Sequence, residues 1–223
     1  MKSRLQTVNT HFKPAAKKFK PTDVWESLNL DDLLSNTAVR MRKETKRVME
    51  EMEAKLIPHI EDSSWPDFIF QELKAVGING LQTKDFGGPG LSTIEAGAVI
   101  FEIAKIDGSV AMSFLVQNCL GIAVVDALGD DHQRARLLPS LIHLEKFICF
   151  GLSEPSGGSN ASDPLTVARK APGGFILNGH KRWMGQGTYA DYNIIWAKNI
   201  DDGGKVQGFI VEKDSKGLSN TKI

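Results

Sequence analysis

Residues 150–160 read Phe150-Gly151-Leu152-Ser153-Glu154-Pro155-Ser156-Gly157-Gly158-Ser159-Asn160, a strand-like start that runs into a tight glycine turn. Glycines at such a turn let backbone N–H groups approach a ligand closely, and Ser153 and Ser159 add hydroxyls that donate or accept. On composition alone the stretch reads first as an ordinary strand-end turn. The texture of the chain changes here. Upstream, residues 25–149 read as helices; downstream, residues 150–223 read as short β-rich runs separated by turns. Helices first and strands second is the order of an α+β protein. The expected architecture is an N-terminal all-helical domain at 25–149 and a truncated antiparallel β domain at 150–223, behind a basic tail or targeting segment at 1–24.

Working back from Phe150, residues 131–143 form a short expected helix that Pro139 should break. Residues 110–128 are the longest apolar stretch, long enough to raise a membrane span. Gln117 and Asn118 near its middle, and Asp126 near its end, point instead to a buried globular helix. Residues 92–106 read as an apolar helix opened by a Ser92/Glu95 capping box, after the loop Phe86-Gly87-Gly88-Pro89-Gly90. Pro66 marks a helix start and Gly77 its stop. Residues 37–60 alternate charges with Val39, Met41, Val48, Met52, Leu56 and Ile57, an amphipathic helix expected to end near Pro58.

Working forward, residues 165–169 and 175–177 flank Pro172-Gly173-Gly174, a hairpin signal. Asn178-Gly179 is a tight-turn dipeptide. Residues 192–198 and 206–212 are β-rich runs around Asp201-Asp202-Gly203-Gly204. Residue 223 falls in what reads as another strand, so a sheet ending there would carry an unpaired edge. The expectation is a fragment of a larger protein.

The 223 residues are 41% hydrophobic, with Lys+Arg 27 against Asp+Glu 27. That apolar content excludes a disordered chain, and the neutral balance argues against a nucleic-acid binder. Cys119 and Cys149 have neither zinc-like spacing nor the number for a disulfide framework, which fits a reducing compartment. His11, His59, His132, His143 and His180 are scattered, so no metal site is expected. There is no Gly-x-Ser-x-Gly, phosphate loop or dinucleotide fingerprint. Lys2, Arg4, Lys13, Lys17, Lys18 and Lys20 precede the first acid, Asp23. This reads as a frayed basic tail or a mitochondrial presequence, although presequences favour Arg over Lys.

The stretch 150–160 resembles the flavin-binding signature of the acyl-CoA dehydrogenase and acyl-CoA oxidase family. Leu177-Asn178-Gly179-His180-Lys181-Arg182-Trp183-Met184-Gly185 looks like that family's second signature, Asn-Gly-x-Lys-x-Trp-Ile-Thr. Gly87 to Ser92, Leu120-Gly121 and residues 129–139 also fit, so the resemblance covers about residues 30–223. It is similar above all to plant short-chain acyl-CoA oxidases, themselves similar to glutaryl-CoA dehydrogenases. Arg4-Leu5 followed by His11-Phe12 resembles an N-terminal peroxisomal targeting signal, with Leu5, Val8 and Phe12 on one helix face. The resemblance implies a peroxisomal location, with the mitochondrial matrix as the alternative.

The family resemblance implies FAD as cofactor, an acyl-CoA substrate and a homo-oligomeric whole protein, with no nucleic acid and no membrane span. It implies that a carboxylate takes the α-proton of the thioester while the β-hydrogen leaves as hydride, giving a trans-2-enoyl-CoA. Phe150, Leu152 and Ser153 would lie along the flavin and Gly158 in its glycine turn. Ser159 would sit where FAD and acyl-CoA meet. Trp183 would pack on the flavin ring, with Met184 and Gly185 beside its N5 edge. Glu154 would be structural; the family's catalytic base would lie beyond residue 223, and this chain alone would be inactive. Gly185 replaces the usual Thr or Ser, which removes a hydroxyl and would leave a gap where O₂ must approach; this favours an oxidase, with a dehydrogenase that reduces an electron-transfer flavoprotein as the alternative. The competing reading is a truncated, non-catalytic relative that binds a partner.

Overall fold

The computed structural model describes residues 24–222. The address residues Arg4, Leu5, His11 and Phe12 lie outside the described residues. Residues 24–34 fall in a small unit of their own. In it α1 (Val24–Ser27) precedes a 3-10 turn (Leu30–Leu33), and the Trp25 indole N–H donates to Asp31 at 2.9 Å.

From Ser35 onward the chain builds a second unit. Ser35 caps α2 (Asn36–Glu61), its hydroxyl accepting from the Ala38 N–H. Helical spacing then buries Ala38, Met41, Val48, Met49, Met52 and Leu56 along one face. Arg42 is buried on the same helix and pairs with buried Glu102, which Lys105 also approaches at 3.1 Å. Pro58 does not end α2. It lies inside the last turns, because the N–H groups that follow still find carbonyls: Asp62 donates to Pro58 and Ser64 to His59, both at 3.0 Å.

α3 (Phe68–Val76) stops at Gly77, whose φ of 77° is a left-handed conformation that favours glycine. α4 (Thr93–Ile106) opens with the expected Ser92/Glu95 capping box. α5 (Gly108–Leu115), a π-helical segment (Val116–Ile122) and α6 (Ala123–Leu128) follow without a break. The resulting helix Gly108–Leu128 is long and apolar enough to cross a membrane, yet 56% of its apolar window is buried inside the protein. Its polar centre is occupied too. Gln117 donates to the Leu141 and Lys146 carbonyls and accepts from the Ile148 N–H, while Asn118 accepts from Leu81 and donates to Ile78 and Phe114. α7 (Asp131–Ile142) starts at an Asp130/Gln133 capping box and runs through Pro139 rather than breaking there.

The strands are β1 (Ile148–Gly151), β2 (Val167–Ala171), β3 (Gly174–Asn178), β4 (Tyr192–Asn199) and β5 (Lys205–Glu212). The sheet is mixed, a correction to the antiparallel expectation. β2–β3 and β4–β5 are antiparallel hairpins, but β1 and β2 both run parallel to β4. The reason lies in the connections. Hairpins reverse direction through tight turns, whereas the excursion 152–166 carries the chain onward from the end of β1 to the start of β2, and 179–191 returns it to the end of the sheet where β1 begins. β1 meets β4 from Ile148↔Tyr192 to Gly151↔Ile195, and β2 meets it at Val167↔Lys198 and Ala168↔Asn199. The two strands therefore lie end to end along one edge of β4.

The sheet closes on the helices through a core of Ile122, Val125, Leu137, Leu138, Leu141 and Ile142 against Ile148 and Ile194. A Cβ on Gly121 would overlap the Ile148 side chain, so glycine is what lets the π segment approach β1. Helices followed by a sheet, the expected α+β order, is the fold observed.

Candidate functional site

The gap between β1 and β2 on the β4 edge is where residues 152–166 leave the sheet. Glu154 anchors this excursion. Its buried carboxylate accepts from the Leu165 N–H at 2.6 Å, the Thr166 N–H at 2.8 Å, the Thr166 hydroxyl and the Lys181 ammonium at 2.8 Å. Burial alone would raise its pKa, but the bonds from Lys181, Thr166 and Leu165 outweigh burial and hold it at about 2. The turn is closed by paired backbone bonds of 3.1 Å between Glu154 and Gly157.

The excursion after β3 docks on the first. Lys181 also donates to the Leu152 carbonyl at 3.0 Å, and the Arg182 N–H donates to the Ser153 carbonyl at 2.8 Å. Gly179 is not the centre of a tight hairpin, contrary to the dipeptide reading. A Cβ there would overlap Thr166, the residue committed to Glu154, so the glycine serves close packing. Met184 covers Gly151: a Cβ on Gly151 would stand 3.1 Å from both Cε and Sδ of Met184. Two residues on, the buried Gln186 amide donates to the Ser113 carbonyl and to its hydroxyl at 3.0 Å.

Between these anchors the backbone is strained. Trp183 has φ 61° and Gln186 φ 66°, left-handed conformations that bulky residues rarely adopt. Such a residue costs about 1–3 kcal/mol and persists only where its surroundings fix it. Trp183 gains no core packing in return. The residue is 70% exposed, and the Arg182 guanidinium lies 4.5 Å from its ring centroid. It is not the strand-core aromatic that composition alone would allow.

The structure brings most of the expected residues together. Leu152, Ser153, Met184 and the backbone beside Trp183 are joined by the contacts above. A Cβ on Gly158 would stand 3.3 Å from the Ser153 hydroxyl, so glycine keeps that hydroxyl accessible. Phe150 lies on the opposite face of β1 from Gly151; its ring packs near Trp196 at 5.9 Å and against the core. Ser159 is exposed on the turn. Gly185 is exposed, and on its helix side Val116 Cγ2 lies 3.0 Å from where its Cβ would stand. Sequence reading assigned no role to Lys181, Thr166, Gln186 or Val116. Lys181 lay inside a quoted signature; the other three carry no local signal.

An exposed ring, accessible hydroxyls and a glycine turn with exposed backbone suit a flat aromatic ligand with polar edges. Metal is a poor match: among the described residues no cluster of His, Cys, Asp and Glu could hold an ion.

Comparison with known proteins agrees with the two signatures. A mitochondrial isobutyryl-CoA dehydrogenase from Dictyostelium discoideum is 30% identical over 84% of this chain and 48% of its own length. A glutaryl-CoA dehydrogenase from Mycobacterium smegmatis, solved in complex with FADH2, superposes with TM-score 0.81 at 26% identity, over 89% of this chain and 51% of that one. Butyryl-CoA dehydrogenase from Megasphaera elsdenii gives TM-score 0.74 at 27% identity, over 82% and 50%. The chain thus spans about half the length of these relatives. It belongs to the acyl-CoA dehydrogenase family, whose N-terminal domain matches residues 35–145 and whose middle domain matches residues 149–223.

Proposed function

We propose that this chain supplies the flavin-facing half of an FAD-dependent enzyme that oxidises an acyl-CoA to a trans-2-enoyl-CoA. The observation that carries the reading is Trp183, an exposed aromatic held in a strained backbone between two anchored segments. Ser153, Gly158, Ser159, Trp183, Met184 and Gly185 would hold FAD, with Leu152 beside them and Phe150 supporting the strand beneath. Bound FAD would supply the acceptor for the hydride that leaves the substrate's β-carbon. Ser159, on the exposed turn, would also reach the acyl-CoA.

The buried carboxylate of residues 150–166 is not available as the base, and the other is exposed in an ion pair. Glu154 is fully engaged and held at about 2, and Asp163 pairs with Lys198 at 2.7 Å. We assign proton abstraction to a residue outside these segments. Val116 beside Gly185 narrows the space on one side of that position, and the relatives described above are named dehydrogenases. Both support a dehydrogenase that passes electrons to a protein acceptor. The Dictyostelium relative supports the mitochondrial matrix, and nothing among these relatives supports a peroxisome. The whole protein would be a homo-oligomer.

Titrating FAD into the whole protein and following flavin fluorescence tests the cofactor; a saturable change is expected, and none would overturn the reading. In the whole protein, butyryl- or glutaryl-CoA should reduce an artificial electron-acceptor dye. Steady H₂O₂ formation without dye would restore the oxidase.

A further inference from the structure

Val116 and Gly185 meet at the seam between the π segment and the second signature. The 3.0 Å separation between Val116 Cγ2 and an ideal Cβ at 185 is tighter than ordinary van der Waals contact. Gly185 is not among the residues with positive φ, so its backbone does not require glycine. The neighbour does.

Neither side is free to retreat. Val116 is 5% exposed and opens the π segment. The next two residues, Gln117 and Asn118, tie that segment to β1, to the end of α7 and to the loop at 78–81. On the other side, Gln186 is bonded to Ser113 and Met184 lies over Gly151. Close-packed elements fixed in this way respond to an added atom by strain rather than by accommodation.

We propose that Val116 is a specificity-determining residue of the candidate flavin face. It crowds one side of the position, and presents a methyl group where a Cβ at 185 would stand. A hydroxyl donor at 185 therefore requires Val116 to yield by a few tenths of an ångström or position 116 to shrink. The chemical meaning rests on the flavin reading; the steric coupling does not.

The test compares the parent with Val116→Ala, Gly185→Ser and the double variant, read by thermal melting and by FAD affinity from flavin fluorescence. Gly185→Ser should lower the melting temperature by roughly 2–8 °C, the effect of overpacking in a domain of this size. In the Val116→Ala background the same substitution should cost less than half of that, a non-additive pair. FAD affinity should fall about threefold or more in Gly185→Ser and return in the double variant. Strictly additive melts with normal FAD binding would overturn the assignment of Val116 alone. No FAD binding by the whole protein would sink the flavin reading, while non-additive melts would leave the coupling of Val116 to position 185 standing.

Discussion

Lys181 Nζ lies 2.8 Å from Glu154 Oε1, with the two side chains only 4% and 7% exposed. This pair joins the excursion after β1 to the excursion after β3. Desolvating two charges is costly, but the same carboxylate receives three more bonds and the ammonium a carbonyl, so neither ion is left short. Replacing one partner strands the other. Lys181→Met should therefore destabilise the chain by about 3–5 kcal/mol, and the double variant with Glu154→Gln by less than the sum of the singles. Urea denaturation measures both. A cost below about 1 kcal/mol would show that the backbone bonds alone hold the segments together.

The same carboxylate predicts acid sensitivity. Its folded-state pKa, about 2, lies below the ordinary 4.5. A depressed carboxylate stabilises the fold fully above its unfolded value, and that stability is lost as pH falls toward the folded value. The contribution should vanish between about pH 4.5 and pH 2 and amount to roughly 3 kcal/mol. Unfolding midpoints across that window should fall steeply in the parent and more gently in Glu154→Gln. Parallel profiles would assign the acid loss to other groups.

Gln117 makes a third prediction. Its amide bridges the end of α7, the turn before β1 and the Ile148 N–H, at 3.3, 3.1 and 3.1 Å. Gln117→Leu keeps the bulk and orphans the Ile148 donor, at a cost of about 1–3 kcal/mol for each buried group left unpaired. Hydrogen exchange at Ile148 should quicken in step with the drop in stability. Unchanged exchange there would mean that β1 is held by its pairing with β4 alone.

What could be read from the sequence was local. The Ser92/Glu95 box and the Pro172-Gly173 hairpin are each written within a few residues, and both are present. The direction of β1 is not local. It depends on where a long connection returns the chain, so parallel pairing to β4 stayed invisible. Pro58 and Pro139 misled because proline weakens a helix without always ending it. The two signatures were legible as segments, but their docking was not: Thr166 and Gln186 are ordinary residues until Glu154 and Ser113 are placed beside them. That Val116 stands beside Gly185 was equally hidden, because nothing nearby in sequence announces it.

Trp183 separates function from fold most sharply. A side chain of a residue 70% exposed contributes little to stability, so Trp183→Ala should change it by no more than about 0.5 kcal/mol. Loss of a ring-stacking platform costs about 0.5–1.5 kcal/mol, so FAD affinity should fall roughly two- to tenfold. Trp183→Phe keeps a ring and should retain most of the affinity. Alanine at 183 still has to adopt φ 61°, so the backbone strain is nearly matched between parent and variant. Parallel melting and flavin-fluorescence titrations decide the matter. A large fall in melting temperature with unchanged FAD affinity would make Trp183 a structural residue, leaving its strained backbone to be explained by the anchors at Lys181 and Gln186 alone.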